Sequence, residues 1–215
     1  MKESLHEILG DYLSQPTISR RIKQIGVTRK RLSLVPAERN TAERKDDRLL
    51  FITSILNFST ENLVYLDETG FNNHTGRSYG YSNINQKAFS IVPVNKGKNR
   101  SLMCAISIDG VIAYEYKSGA YNSELFVQFI IQKLVPYFRL NPTRILIMDN
   151  ARFHKSNIVL EVLRQNNIVY KISTPYSPEL NPIEEFFAMI KMKFHAVKKN
   201  NAVQTIEACL DIVFQ

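Results

Sequence analysis

The chain has 215 residues, of which 44% are hydrophobic and 22% are charged, and these proportions exclude a disordered or fibrous protein. Its 28 Lys and Arg residues outnumber 20 Asp and Glu residues, giving a net charge of +8 that favours a polyanionic partner. The sequence has no signal-peptide core and no apolar run near the roughly 18 residues of a membrane span, so we expect a soluble, intracellular protein without a membrane partner.

The N-terminal segment is predicted to form two short helices with a turn between them. Apolar residues recur at helical spacing in 5–13 and again in 17–25. Pro16 suits the first turn of the second helix, and Gly26 suits its end. This arrangement has the form of a helix-turn-helix.

The second of these helices and the segment after it carry charge of one sign. Six cationic residues and no acidic residue lie between Thr17 and Arg31. Such a run often forms only a solvated helix face, but the turn and the glycine favour DNA contact, with arginines on phosphates and a base edge. The residues expected to bind DNA are Thr17, Ser19, Arg20, Arg21, Lys23, Arg29, Lys30 and Arg31.

The rest of the chain alternates predicted strands and helices. A polar segment, 36–48, reads as a linker or a solvated helix, and a helix is predicted over 49–58. Strands are predicted over 63–67, 88–94, 101–108, 111–116, 144–149 and 168–172. Asp109-Gly110 predicts a hairpin between two of them. Helices are predicted over 123–138, with Ser123 as the cap, and over 156–166 and 182–197.

This order predicts an α/β protein, a mixed sheet with helices on its faces, and it resembles the ribonuclease-H-like fold. We divide the chain into a helix-turn-helix segment at 1–35, a linker and a leading helix at 36–60, and a catalytic domain at 61–215.

Three acidic residues occupy positions that suit phosphoryl transfer. Asp67 and Asp149 each end an apolar run, and Glu184 lies at a predicted helix start. Two short acids at neighbouring strand ends, with a longer one reaching in from a helix, could hold two divalent ions about 4 Å apart. Mg²⁺ prefers such oxygen ligands.

Each acid also has an ordinary structural interpretation. Asp67 could be a strand-end residue in a turn, and Asp149 could form an Asx turn before Asn150. Glu184 could complete a capping box in which Asn181 is the N-cap.

Three segments carry a resemblance to a known family: Asp67-Glu68-Thr69-Gly70-Phe71-Asn72, Asp149-Asn150-Ala151-Arg152-Phe153-His154 and Pro175-Tyr176-Ser177-Pro178-Glu179-Leu180-Asn181-Pro182-Ile183-Glu184. Together with the 34 residues between Asp149 and Glu184 (184 − 149 − 1 = 34), they resemble mariner-type DDE transposases of the Asp-Asp-Glu branch.

The resemblance implies an enzyme that cuts DNA at element ends and joins the freed 3′-hydroxyl to target DNA, which is transposition and integration. It implies Asp67, Asp149 and Glu184 as catalytic residues that bind two Mg²⁺ or Mn²⁺ ions. It also implies double-stranded DNA with terminal inverted repeats as a partner, a homodimer, and a nuclear location in a eukaryote or the cytoplasm and nucleoid otherwise.

Other residues near the acids have less defined roles. Asn150 is a candidate for orienting Asp149, and His154 for contacting DNA or supporting a metal ligand. Glu68 and Glu185 are set aside, because each should point away from its acidic neighbour. Two groups of cations could favour a polyanionic substrate or merely aid solubility: Lys96, Lys98 and Arg100, and Lys191, Lys193, Lys198 and Lys199.

The sequence departs from the family pattern at both ends. Only one helix-turn-helix fits before Pro36, where the family usually has two, and the apolar pattern continues to the last residue. We therefore expect a chain truncated at both ends. The alternatives are a non-catalytic DNA-binding protein derived from a decayed transposase, and a nuclease acting on RNA hybrids or branched DNA.

Overall fold

The computed structural model describes residues 14–27, 36–72, 74–75, 97–200 and 205–215, without the side chains of residues 199 and 200. The chain divides into two compact units, Met1–Pro36 and Ala37–Gln215. The predicted helix over 5–13, the predicted strand over 88–94 and the basic run 29–31 lie outside the described residues.

The described part of the first unit is helix α1, Gln15–Gln24. The Ser14 hydroxyl accepts a hydrogen bond from the Thr17 amide at 3.4 Å and so caps the helix. Gly26 adopts a φ of 76° just beyond the end of α1, a conformation that glycine takes without strain.

The second unit begins with a 3-10 turn, Ala37–Asn40, and helix α2, Ala42–Leu56. The prediction that this helix starts at residue 49 was wrong, because the Thr41 hydroxyl accepts from the Arg44 amide and starts it earlier. Phe51 is the one buried residue of α2, and it lies in the second half of the helix. The first half therefore has no apolar period from which a helix could be predicted.

In the described ranges, five strands form a sheet, and it is mixed, as predicted. They are β1 Leu63–Phe71, β2 Arg100–Ser107, β3 Gly110–Ser118, β4 Ile145–Met148 and β5 Tyr170–Ile172. The order across the sheet is β3-β2-β1-β4-β5. The pairs β1–β2 and β2–β3 are antiparallel, whereas β1–β4 and β4–β5 are parallel. β1 therefore lies at the centre, where the two modes of pairing meet.

The helices that flank the sheet are α3 Ser123–Phe129, α4 Val135–Leu140, α5 Asn157–Gln165, α6 Ile183–Asn200 and α7 Ile206–Val213. A π-helical turn, Ile130–Leu134, joins α3 to α4. Pro136 follows it and cannot donate to the carbonyl four residues earlier, which accounts for the local widening. The predicted cap, Ser123, was wrong: Asn122 accepts from the Leu125 amide at 2.9 Å.

Each face of the sheet carries its own apolar core. Helices α3 and α5 cover one face, where Phe126 and Leu163 pack with Leu66 and Leu146. Helices α6 and α7 cover the other, where the Phe194 ring lies 4.9 Å from the Phe71 ring. A sheet buried on both faces places its polar chemistry at the strand ends. In the described part of the chain, no helix has the length and apolar character needed to cross a membrane.

Candidate active site

Asp67 and Asp149 lie on neighbouring strands at the same sheet edge. In the parallel pairing of β1 with β4, Tyr65 is opposite Ile147 and Leu66 is opposite Met148. The next residue on each strand is the acid. Since side chains alternate along a strand, both acids share the face of Tyr65 and Ile147, which is the face that α6 covers.

Glu184 is the second residue of α6 and reaches this edge from the helix layer. Its neighbours in the helix, Ile183 and Phe187, are buried against the sheet, whereas Glu184 itself is exposed. Its charge, like that of Asp149, raises the pKa of Asp67. The three predicted acids therefore lie within electrostatic range of one another.

Asp67 is the most strongly perturbed of these acids. Burial, together with the charges of Asp149 and Glu184, raises the pKa of its carboxyl to about 7. The Glu68 amide donates to Asp67 Oδ1 at 2.7 Å and the charge of His154 is nearby, and both favour the ionised form. A carboxylate surrounded by like charges is typical of a site that binds cations.

The pKa of Asp149 is shifted in the opposite direction. Burial would raise its pKa, but the hydrogen bond and charge of His154, the Ala151 amide and Lys155 outweigh burial and hold the pKa below its ordinary value. The Ala151 amide donates at 3.1 Å, and His154 Nδ1 lies 2.5 Å from the same oxygen, Oδ1. Because an ionised carboxylate only accepts, His154 Nδ1 is the donor. These two hydrogen bonds to Asp149 come from Ala151 and His154, rather than from the side chain of Asn150.

The loop before α6 is held by several polar contacts. The Arg39 guanidinium donates to the Tyr176 carbonyl at 2.9 Å and to Glu179 at 2.6 Å. Tyr176 has a φ of 59°, a left-handed conformation that is strained in a residue with a side chain. The Ser177 hydroxyl, which is buried, donates to the Pro175 carbonyl at 3.2 Å. These contacts fix the segment that delivers Glu184.

Asn181 does not form the capping box that the sequence allowed. The helix begins at Ile183, and the Asn181 side chain turns toward the site, where Nδ2 donates to Asp67 Oδ2 at 3.0 Å. Asn181 is 7% exposed. This contact is not predictable from the sequence, because Asn followed by Pro before a helix is the ordinary signal for an N-cap.

The donor chemistry of the three acids fits a divalent cation. Carboxylate oxygens are the ligands that Mg²⁺ and Mn²⁺ prefer, and a cation would offset both the burial and the repulsion that raise the pKa of Asp67. Within the described ranges, no three His, Cys, Asp or Glu side chains lie close enough to hold one ion as they are arranged here. Asn181 donates to one carboxylate oxygen of Asp67, and His154 donates to one carboxylate oxygen of Asp149. The side chains of these acids would therefore rotate when a cation binds.

Several basic residues near the acids have interactions of their own. Arg100 is engaged, because it pairs with Glu207 of α7 and donates to the Ser118 hydroxyl at 2.6 Å. Lys198 places its ammonium 5.8 Å from the centre of the Phe194 ring. Lys155 acts on Asp149 electrostatically. Lys96 lies outside the described residues, as does the side chain of Lys199.

The residues predicted to bind DNA lie on and after α1. Ser19, Arg20, Arg21 and Lys23 are exposed, and Thr17 is half-buried with its hydroxyl 2.8 Å from that of Ser14. Arg29, Lys30 and Arg31 lie outside the described residues.

Comparison with known proteins identifies the family. The model of the DDE superfamily endonuclease family matches residues 62–207. The structure is similar to the Mos1 transposase paired-end complex with the left transposon end, at 25% identity and a TM-score of 0.70, covering 99% of this chain and 70% of that one. It is also similar to the Mos1 mariner paired-end complex with Mn, at 26% identity and a TM-score of 0.69, covering 98% and 69%.

A third likeness concerns the fold alone. The catalytic domain of Mos1 mariner transposase is 20% identical with a TM-score of 0.53, over 86% of this chain and 91% of that one. No curated protein matches the chain. The predicted ribonuclease-H-like fold and the predicted family are confirmed. The chain belongs to the DDE superfamily endonuclease family, as a DNA transposase of the mariner type.

Proposed function

We propose that the chain cleaves DNA at element ends and joins the freed 3′-hydroxyl to target DNA, with Asp67, Asp149 and Glu184 as the catalytic acids. The observation that carries this proposal is the placement of the acids, because Asp67 and Asp149 follow paired positions of the parallel strands β1 and β4 and Glu184 lies in the first turn of α6, which packs on that face. The likeness to a paired-end complex supports the same reaction class.

Two Mg²⁺ or Mn²⁺ ions, held by the three acids, would activate the attacking oxygen and neutralise charge on the leaving oxygen. One of the similar structures is a complex with Mn. The chain's own residues prepare the ligands. Asn181 holds Asp67 Oδ2, while His154 and the Ala151 amide hold Asp149 Oδ1. The anchored loop from Pro175 to Asn181 sets the position of Glu184.

The proposed partners are duplex DNA with terminal inverted repeats and target DNA. The exposed cations of α1 are suited to phosphates, and the run at 29–31 extends that charge. We also propose a homodimer as the working assembly. In a eukaryotic host it would work in the nucleus, and in a bacterium in the cytoplasm at the nucleoid.

The test is nicking of a terminal-repeat duplex by the full chain in Mg²⁺ or Mn²⁺, with EDTA as the control. We expect metal-dependent nicking of the duplex and none of an RNA–DNA hybrid. Binding without nicking in either metal would contradict the proposal and favour a non-catalytic DNA-binding protein. Preferential cutting of the hybrid would instead indicate a ribonuclease-like substrate.

Asn181→Ala is expected to slow nicking at pH 7 about tenfold, the lower range for residues that support metal ligands. Removing the Nδ2 donor destabilises ionised Asp67, so its pKa rises and the acidic limb of the pH–rate profile moves to higher pH. The measurement is the nicking rate in Mg²⁺ from pH 6 to pH 9. Asn166→Ala is the matched control, because Asn166 donates to the Val162 carbonyl away from the acids. An unshifted profile would exclude this role for Asn181.

A further inference from the structure

Behind the candidate active site, on the opposite face of the sheet, lies a second polar group. Glu68 follows Asp67 on β1, and its side chain shares the face of Leu66 because strand residues alternate. Met103, which pairs in register with Glu68, belongs to the core beneath α3. His154 packs into the same core, with its ring centre 4.6 Å from that of Phe126.

His154 connects this reverse face to Asp149. Its Nδ1 donates to Asp149 Oδ1 at 2.5 Å, and the residue is 1% exposed. The other ring nitrogen, Nε2, then needs a partner of its own, an acceptor if it carries a proton and a donor if it does not. Among the described residues, Nε2 is buried without a hydrogen-bond partner. A buried ring nitrogen of this kind calls for a partner.

Glu68 presents a matching atom. Its Oε2 is also buried without a hydrogen-bond partner within the described ranges. Its other oxygen, Oε1, is 3.5 Å from the Ser101 hydroxyl. Burial raises the pKa of Glu68, while the Tyr121 amide, the charge of His154 and Ser101 act in the opposite direction. Glu68 and His154 therefore lie within electrostatic range of each other.

One water molecule both donates and accepts, so it can serve both unpartnered atoms whether or not Nε2 carries a proton. We propose that Glu68 is a positioning residue for Asp149, acting through a single buried water and the His154 ring. The water donates to Glu68 Oε2 and forms its second hydrogen bond with His154 Nε2, so the ring keeps its Nδ1–H directed at Asp149. This inference rests on the proposed function, in which Asp149 is a metal ligand.

The test is a double-mutant cycle on the full chain, with Mn²⁺ affinity measured by electron paramagnetic resonance of the free ion. Glu68→Leu is expected to weaken Mn²⁺ binding about tenfold, the lower range for residues that support ligands. His154→Asn retains a donor near the position of Nδ1 but has no Nε2. In that background Glu68→Leu should have little further effect, because the connection is already absent.

Two comparisons separate positioning from a general loss of structure. Glu115→Leu is the matched control, since Glu115 is a carboxylate on the same sheet face that accepts from the Tyr121 hydroxyl at 3.3 Å. Glu68→Gln preserves the shape of the side chain and covers the case in which Glu68→Leu fails to fold. It should also weaken Mn²⁺ binding, because Oε2, which accepts a hydrogen bond from the water, is replaced by an amide group that donates.

The outcomes distinguish this inference from the proposed function. Unchanged Mn²⁺ affinity in both Glu68 variants, with affinity lost in Asp149→Asn, would overturn the inference and leave the proposed function standing. Additive losses from Glu68→Leu and His154→Asn, or an equal loss in Glu115→Leu, would also overturn it. If Asp149→Asn itself leaves Mn²⁺ affinity unchanged, the metal assignment fails, and the inference fails with it.

Discussion

Asp149→Asn and Glu184→Gln are each expected to reduce nicking of a terminal-repeat duplex by at least about 10³-fold, beyond the loss typical of residues that only support ligands. Each substitution keeps the shape of the side chain but replaces an anionic oxygen by an amide. The two cations are then held by less negative charge, and the charge that develops on the reacting oxygens is stabilised less well. The measurement is single-turnover nicking in Mg²⁺ and in Mn²⁺.

Glu185→Gln is the matched control for this prediction. Glu185 is adjacent to Glu184 on α6 and is also exposed, but it points about 100° away around the helix. We expect its nicking rate to stay within about threefold of the wild type, as for a surface substitution. DNA binding by all three variants should be retained. Near-normal nicking by Glu184→Gln would remove Glu184 from the triad.

In the metal-free protein, Asp67→Asn is expected to raise the free energy of unfolding above pH 7 and to change it little below pH 4. The pKa of Asp67 is about 7 in the folded chain and 3.8 ordinarily. Between these values the folded chain holds a proton that the unfolded chain has released, so stability falls as pH rises. At about 1.4 kcal/mol per pKa unit the ceiling is about 4 kcal/mol, and relaxation around the carboxylate reduces the expected gain to about 2 kcal/mol.

The measurement is urea unfolding of both proteins at pH 4 and pH 8 in EDTA. Asp46→Asn serves as the control, because Asp46 is exposed on α2. Addition of Mg²⁺ at pH 8 should stabilise the wild type and have less effect on Asp67→Asn, since bound cations stabilise only the form that binds them. If Asp67→Asn changes the free energy of unfolding equally at pH 4 and pH 8, ionisation of Asp67 does not destabilise the folded chain, and the prediction is wrong.

Much of the fold was predictable because its signals are local. Asp109-Gly110 predicts the β2–β3 hairpin, whose turn residues are Ile108 and Asp109, one position earlier than predicted. The apolar run before Asp149 predicts β4. The extension of β1 to Phe71 was not predictable from residues 68–71, because it depends on pairing with Arg100–Met103, far away in sequence. The first half of α2 was left open between a linker and a solvated helix for a different reason. Its residues are polar and none of them is buried, so they give no apolar period.

The candidate site was predictable as a set of acids, but not as a set of contacts. The sequence predicts that Asp67, Asp149 and Glu184 belong to one site, because each lies at a predicted strand end or helix start and the spacing of Asp149 and Glu184 matches the family motif. It does not indicate that Asn181 turns away from its own helix toward Asp67, since that depends on the approach of α6 to the sheet. Nor does it indicate that Glu68, set aside because it points away from Asp67, lies on the face that His154 occupies.

The central place of β1 in the sheet also determines when the site can form during protein synthesis. Asp67 is translated 82 positions before Asp149 (149 − 67 = 82) and 117 before Glu184 (184 − 67 = 117). The parallel pairing of β1 with β4 must wait for that intervening chain, and pairings so distant in sequence form slowly. A nascent chain or proteolytic fragment that stops before Glu184 carries α1 without the third acid. Such a fragment retains the proposed DNA contacts of α1 but lacks one of the three proposed catalytic acids.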